Sequence, residues 1–448
     1  MIYPVLNQYV TISEESGIAI DSVSGKNVDL PIGAFPLLKL IDGKTSIDEI
    51  KDKIVKTYKV SPKAINNFIT NMSELGFVSL LTAPNQMVID KKPAVRLASI
   101  ELTERCNLSC RYCYGAFSPE NKRNLSFKDS KTLFNALKNR NVNNVELTGG
   151  EPTVNPQFDE ILNEACELFP RVTVMTNAVI LRQSSMNIYK KYCNKIGFSI
   201  SIDGFSDKTN NFQRGVINTF SHTLNNIIRI KDEINPHYLR VVYMLTNENV
   251  HEVDAFIEFM LSHEIRELMI SIPENIEKGR TYKLSDGCMM SDRLSISRNI
   301  LDEKVTEIGE KYGKEIETVA KRLGSKGMQI ANTIPSCGAG WTMLSFQVSG
   351  NVQPCNMMDK EWVLGNYKQN PNLEFLSYDN PLYAAFASIN LSSDGHNRDE
   401  CKGCSFENFC GKCINKILMA NRTRTLHGES LCPIFCRTKL PKDILLNH

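Results

Sequence analysis

From Leu97 onward the chain alternates short apolar runs with amphipathic ones, and this alternation restricts its fold more than any other feature. The runs Leu97–Thr103, Asn144–Thr148, Val172–Thr176, Phe198–Ile202, Leu239–Thr246 and Glu267–Ile272 read as strands. Helical patterns lie between them, such as Phe158, Ile161, Leu162, Ala165 and Leu168. Strand–helix units repeated in this way build a parallel sheet through right-handed crossovers. Chemistry in such sheets collects beyond the C-terminal ends of the strands. The unusual residues of this stretch stand there.

Cys106, Cys110 and Cys113 follow the first strand in the run ELTERCNLSCRYCYG. Their C-x3-C-x2-C spacing can offer three thiolates to a [4Fe–4S] cube and leave the fourth iron without a protein ligand. An open metal position is a place to do chemistry. A zinc knuckle or a disulfide group is the bland alternative. Thr148-Gly149-Gly150-Glu151-Pro152 follows the second strand. Its glycines allow close backbone approach to a ligand, and its carboxylate can pair with an ammonium group. Ser201-Ile202-Asp203-Gly204 and then Phe212-Gln213-Arg214-Gly215 follow the fourth. The planar fork of Arg214 suits a carboxylate, although a surface ion pair for Arg214 and a strand-end turn for Ser201 would also fit. Cys166 and Cys193 lie in helical patterns and read as packing thiols. No residue stands out as a general acid or base.

Together these segments resemble the radical S-adenosylmethionine (SAM) superfamily. The resemblance implies an α/β fold built on a partial (β/α)6 barrel, residues 97–285. It implies that Cys106, Cys110 and Cys113 hold the cluster that binds and cleaves SAM to a 5′-deoxyadenosyl radical. Tyr112 matches the aromatic residue before the last cysteine. Gly149, Gly150 and Glu151 would meet the methionine amino group, and Ser201 and Arg214 the ribose and carboxylate. Thr176-Asn177-Ala178 stands where the family often shows TNG.

Residues 1–84 form a module of their own. Tyr9–Ile12, Gly17–Asp21 and Asn27–Leu30 read as strands, with a turn at Ser24-Gly25. Ser46 and Glu49 form a capping box, and Ser61-Pro62 opens a second helix. A returning strand is expected at Phe77–Leu81. This order suggests a winged-helix-like domain. With the run LLKLIDGKTSIDEI it resembles the recognition element of enzymes that modify ribosomally made peptides (RiPPs). The resemblance implies a leader peptide held as an added strand on a sheet edge. The second helix carries little positive charge, which argues against DNA. Residues 85–96 read as a linker, and 286–334 as a connecting helical segment.

The C-terminal stretch, 335–448, is rich in cysteine: Cys337, Cys355, Cys401, Cys404, Cys410, Cys413, Cys432 and Cys436. The array resembles the SPASM domain, which carries two auxiliary [4Fe–4S] clusters. That resemblance assigns Cys337, Cys355 and Cys413 to the first and Cys401, Cys404, Cys410 and Cys432 to the second. Cys288 could complete the first set, and Cys436 could replace Cys432. Cys337-Gly338-Ala339-Gly340-Trp341 looks like the subtilosin-type thioether maturases. A zinc ribbon would satisfy part of the pattern.

Composition narrows the classes further. The 52 basic and 50 acidic residues leave a net charge of +2, with no nucleic-acid or membrane-binding character. No apolar run reaches the roughly 18 residues of a membrane span, and the run MIYPVLNQYV lacks a basic region followed by an apolar one. A cytoplasmic protein is expected. Its 14 cysteines are then not expected to form disulfides, because that compartment keeps thiols reduced. The resemblances imply three [4Fe–4S] clusters, SAM, a precursor peptide as partner and a flavodoxin or ferredoxin as reductant. The expected activity is sulfur-to-carbon thioether crosslinking of the sactipeptide or ranthipeptide type. Carbon–carbon crosslinking, epimerisation and a sulfatase-type maturase are alternatives, as is an iron–sulfur electron carrier or peptide scaffold without catalysis.

Overall fold

The computed structural model describes residues 1–7, 10–13, 18–21, 27–31, 33–84, 95–115, 117–271, 298–313, 315–316, 338–358, 362–377, 379–384 and 386. Its N-terminal part holds strands β1 (Tyr3–Leu6), β2 (Val10–Ser13), β3 (Ile18–Asp21) and β4 (Asn27–Asp29). A helical turn α1 (Phe35–Leu38), helices α2 (Ile47–Tyr58) and α3 (Pro62–Glu74), and strand β5 (Val78–Leu81) follow. Strands β2, β3 and β4 form an antiparallel meander, while β1 pairs antiparallel with β5. Strand β1 was not foreseen.

Local chemistry explains these helices. The Ser46 hydroxyl accepts from the Glu49 amide at 3.3 Å, and the Ser46 amide donates to Glu49 Oε2 at 2.8 Å. This reciprocal box starts α2. Ser61 caps α3 by accepting from the Ala64 amide at 3.2 Å, with Pro62 in the first turn where a missing N–H costs nothing. Ile50, Ile54, Ile65, Ile69 and Met72 face inward at helical spacing and share a core with Phe77 and Val78.

Six parallel strands follow: β6 (Leu97–Glu101), β7 (Asn144–Thr148), β8 (Arg171–Thr176), β9 (Ile196–Ile202), β10 (Tyr238–Met244) and β11 (Glu267–Ser271). The helices between them are α4 (Phe127–Asn139), α5 (Phe158–Leu168), α6 (Gln183–Lys191), α7 (Asp207–Arg214), α8 (Phe220–Glu233) and α9 (Val253–Ser262). After β11 comes α10 (Arg298–Tyr312). It lies in the expected connecting segment, yet its Val305, Ile308 and Tyr312 join the same core as the barrel strands.

Alternation sorts the side chains of the sheet. Ala98 and Ile100, Val145 and Leu147, Val241 and Tyr243, and Leu268 and Ile270 are buried in that core. The opposite face is polar: Ser99 stands beside Glu146, which in turn neighbours Thr173, and Ser199 stands beside Arg240, which in turn neighbours Glu267. A sheet apolar on one face and polar on the other leaves its inner side suited to a polar occupant.

Three further strands extend the β6 edge: β12 (Met343–Phe346), β13 (Asn351–Gln353) and β14 (Gly365–Asn366). Strand β12 pairs parallel with β6, and β13 and β14 follow antiparallel. The order β11-β10-β9-β8-β7-β6-β12-β13-β14 does not close on itself among the described residues, so the barrel is partial. No helix among these residues is long and apolar enough to cross a membrane.

Candidate active site

The chain leaves β6 and immediately enters the loop that bears Cys106, Cys110 and Cys113. These cysteines form an apolar group with Leu108 and Phe117, and Val179 and Val216 pack against it. The loop is held from two sides. Gly150 and Glu151, just past β7, donate their amides to the carbonyls of Thr103 at 2.8 Å and Arg105 at 3.0 Å. From the other side, Ser109 and Arg111 donate to the carbonyls of Arg214 at 3.1 Å and Gln213 at 3.0 Å, at the end of α7. Ser118 accepts from the Cys106 amide at 3.1 Å.

The glycines are required by this packing. A Cβ on Gly149, whose φ is +130°, would lie 2.3 Å from the Thr103 carbonyl oxygen. One on Gly150 would lie 2.3 Å from that of Arg105. Their close approach is therefore to the chain's own cysteine loop.

Glu151 is also engaged within the chain. Its Oε1 accepts from the Thr153 amide at 3.2 Å and from the Thr153 and Thr176 hydroxyls, each at 2.7 Å. Its Oε2 accepts from the Asn177 amide at 2.8 Å. Burial raises its carboxyl above the usual range, against the pull of these four donors. Glu151 thereby struts the ends of β7 and β8. The turn after β8 reaches the cysteine loop too, through Asn177 Nδ2 donating to Asn107 Oδ1 at 2.8 Å.

Arg214 is buried and paired through Nε with Asp203 Oδ2. The Tyr112 hydroxyl donates to the same carboxylate oxygen. Burial works against the guanidinium charge, and Asp203, Tyr112 and Cys110 overcome it, so Arg214 stays protonated. Its Nη2 is buried with no hydrogen-bond partner among the described residues. Arg214 is thus no surface ion pair. Ser201, the neighbour of Val242 in the β9–β10 register, is half-buried.

Burial pushes the Cys110 thiol up to about 12, with Arg214 opposing the shift, and it raises Cys106 further. A metal ion that takes these sulfurs must displace their protons. Cys355 follows β13. Its neighbour Asn356 donates through Nδ2 to the Tyr114 hydroxyl at 3.4 Å, next to Cys113. Cys288, Cys337, Cys401, Cys404, Cys410, Cys413, Cys432 and Cys436 lie outside the described residues. Cys166 is fully buried in the barrel core, and Cys193 packs half-buried on it.

Sequence reasoning quoted Asp203 but gave it no role. The signal was present: an acid at a strand end, with an arginine on the helix that follows. The Glu151 donors Thr176 and Thr153 were likewise unassigned.

Comparison with known proteins agrees with this arrangement. The family model for the radical SAM superfamily matches residues 100–260, and that for the SPASM iron–sulfur cluster-binding domain matches 337–405. The antilisterial bacteriocin subtilosin biosynthesis protein AlbA of Bacillus subtilis is 25% identical over 454 residues, covering 96% of each chain. The sporulation killing factor maturation protein SkfB of the same organism is 30% identical over 161 residues, 36% of this chain and 38% of that one. Among solved structures, Streptococcus suis SuiB bound to precursor peptide SuiA gives a TM-score of 0.51 at 16% identity, covering 92% of this chain and all of that one. Native anSMEcpe with bound AdoMet gives 0.54 at 15% identity, covering 76% and 94%. At these identities the two structures speak for the fold. With its clamped three-cysteine loop at the end of β6, the chain belongs to the radical SAM superfamily and carries a SPASM domain beyond the barrel.

Proposed function

We propose that this protein matures a ribosomally made precursor peptide by joining a cysteine sulfur to a peptide carbon as a thioether. The observation that carries the reading is the similarity to the subtilosin biosynthesis protein over 96% of both chains. A match of that extent takes in the N-terminal module, the barrel and the cysteine-rich end together.

The radical SAM and SPASM domains imply [4Fe–4S] clusters and SAM. The residues around the cysteine loop fit both groups. Three thiols on one loop, Cys106 buried and Cys110 and Cys113 half-buried, are a donor set for an iron–sulfur cluster, with Arg214 beside them to balance the charge of thiolates. The unpartnered Nη2 of Arg214 is an opening for an anionic oxygen such as the SAM carboxylate. We assign Cys106, Cys110 and Cys113 to the SAM-binding cluster, and Tyr112, Gly149, Gly150, Glu151, Ser201 and Arg214 to the walls of the SAM site. Cys337, Cys355 and Cys413 are assigned to one auxiliary cluster. Cys401, Cys404, Cys410 and Cys432 are assigned to the other. Cys288 and Cys436 are the reserve ligands.

When bound, these groups supply hydrogen-atom abstraction from an unactivated carbon by a radical generated from SAM. The chain's own part is to bind, orient and exclude. Asn177 and the glycine turn hold the cysteine loop, and Arg214 offers its unpartnered Nη2. The polar inner face of the sheet can receive a peptide backbone. Residues 1–84 would hold the leader. Strand β4 pairs with β3 alone among the described residues, so its other edge can take an added strand. Tethering the leader there raises the local concentration of the core peptide. A flavodoxin or ferredoxin in the cytoplasm would supply electrons, where thiols and clusters stay reduced.

The test is the intact mass of the small peptide encoded beside this gene, after anaerobic reaction with protein, SAM and reductant. Loss of two hydrogens per event, with one thiol per event becoming unreactive to alkylation, is the expected result. The same mass loss with every thiol still free would replace thioether formation with carbon–carbon bonding. Absence of 5′-deoxyadenosine from protein with its iron confirmed would end the reading.

A further inference from the structure

We infer that Asp203 is the positioning residue that aims the Arg214 guanidinium into the ligand pocket beside Cys106 and Cys110, and that the same carboxylate oxygen fixes Tyr112. The inference rests on the site reading given above.

Asp203 is 1% exposed and stands just past the end of β9. Its backbone is locked. The Asp203 amide donates to Asn210 Oδ1 at 3.1 Å, and its carbonyl accepts from Asn249 Nδ2 at 2.8 Å. Its side chain is locked as well, since Oδ1 accepts from the Met244 amide at 3.3 Å. That leaves Oδ2, which takes two donors from different parts of the fold: Tyr112 of the cysteine loop and Arg214 at the end of α7.

The result is an arginine held by one edge. Nε faces Asp203, and Nη2 is left buried and unpartnered. A buried donor without a partner is costly, and a charged one more so. A chain gains nothing in stability from that arrangement. It gains a preorganised cation whose free edge is fixed before any ligand arrives. Without Asp203 the guanidinium would be left with the Cys110 sulfur, which it already reaches, as its partner. The Tyr112 ring would lose its anchor in the same step.

The test follows the SAM-induced change in the cluster's EPR spectrum during SAM titration of anaerobically reconstituted, reduced protein. Wild type, Asp203→Asn, Arg214→Lys and the double variant are compared, with iron content and melting temperature measured for each. Asp203→Asn is expected to weaken SAM binding about 10- to 100-fold, the range for losing one charged hydrogen bond, with iron content kept. Because Asp203 acts through Arg214, the double variant should bind SAM no worse than Arg214→Lys alone. SAM binding by Asp203→Asn within about threefold of wild type would overturn the inference, as would costs that add in the double variant. If Asp203→Asn fails to retain iron, Asp203→Glu takes its place. That variant keeps the charge but displaces it, and should retain iron while losing SAM affinity. Wild-type affinity in Asp203→Glu would assign Asp203 a purely structural role. Iron-loaded wild type without any SAM-induced change would overturn the site reading itself, and this role with it.

Discussion

The amide of Gly150 donates to the carbonyl of Thr103 at 2.8 Å, joining the turn after β7 to the root of the cysteine loop. The turn carries no side chain there because none fits. A methyl group on Gly150 would lie 2.3 Å from the Arg105 carbonyl oxygen and 3.1 Å from the Cys106 Cβ. Both obstacles belong to the loop that must present Cys106.

Gly150→Ala therefore acts on the loop before it acts on the fold. Overpacking of this kind costs about 1–3 kcal/mol, and relief requires the loop to move. We expect the variant to lose the iron held by this loop, about four atoms per chain for one [4Fe–4S] cluster. Iron bound by the C-terminal cysteines should remain. Iron analysis together with the SAM-responsive EPR signal checks this. Full iron content with a normal SAM response would show that the loop tolerates the displacement.

Ala178 occupies the left-handed region at φ +51°, where glycine is the residue without strain. Its amide donates to Thr176 Oγ1 at 2.9 Å, and its carbonyl accepts from Asn226 Nδ2 at 2.8 Å. The strain costs about 1–2 kcal/mol. Glycine would remove it, but would give up one buried methyl worth about 0.8 kcal/mol and add unfolded-state freedom worth about 0.4–1 kcal/mol. These effects nearly cancel. Ala178→Gly should leave stability within about 1 kcal/mol of wild type, while Ala178→Val should lose about 2–3 kcal/mol because a β-branched residue resists this conformation. Denaturant titration of both variants decides it. A large gain for the glycine variant would mean that the methyl contributes less than its burial suggests.

Much of this architecture could be read in the chain, for a physical reason. Each barrel strand carries its own apolar alternation, and Asn144–Thr148 needs nothing beyond its five residues to be recognised. The Ser46–Glu49 box is equally local, since donor and acceptor lie one turn apart. Strands β12–β14 were not legible. The pairing of Leu344 with Ala98 joins segments far apart in the chain, and no local periodicity encodes it. Asp203 escaped for a related reason. Taken alone it looks like a strand-end turn, and its meaning comes from Tyr112 and Arg214 arriving on other elements. Glu151 reads as a carboxylate beside a ligand, yet its donors Thr176 and Asn177 lie at the far end of the next strand.

Cys166 and Cys193, which carry no ligand assignment, should differ in reactivity. Cys166 is fully buried among barrel residues, and burial pushes its thiol up to about 12. Cys193 lies past the end of α6, half-buried, with Sγ near Asn194 Oδ1 at 3.9 Å. The thiolate is the reactive form, and it must also be reached. Iodoacetamide at pH 8 should therefore modify Cys193 in the native protein and spare Cys166 until the barrel unfolds. Peptide mass mapping reads this directly. Labelling of both at equal rates would mean that the α5–β8 core opens locally.

The helix after the last barrel strand, α10, is docked by charge as well as by its apolar residues, and this sets a pH dependence. Asp254 on α9 pairs with Lys304 and with Lys311 at 3.3 Å, and accepts from the Tyr312 hydroxyl at 3.0 Å. Partial burial alone would raise its carboxyl, but the hydrogen bonds from Lys304 and Tyr312 outweigh it and hold the pKa below the ordinary value. A depressed carboxyl adds stability above its unfolded pKa of about 3.9, and that stability is lost as pH falls through the folded value. Solvent reaches these groups, so the contribution is on the order of 1 kcal/mol. Asp254→Asn should speed hydrogen exchange across Arg298–Tyr312 about fivefold at pH 7, and the difference from wild type should fade as pH falls through the lowered carboxyl pKa. An exchange difference that persists unchanged in acid would assign the docking to Val305, Ile308 and Tyr312 packing rather than to the carboxylate.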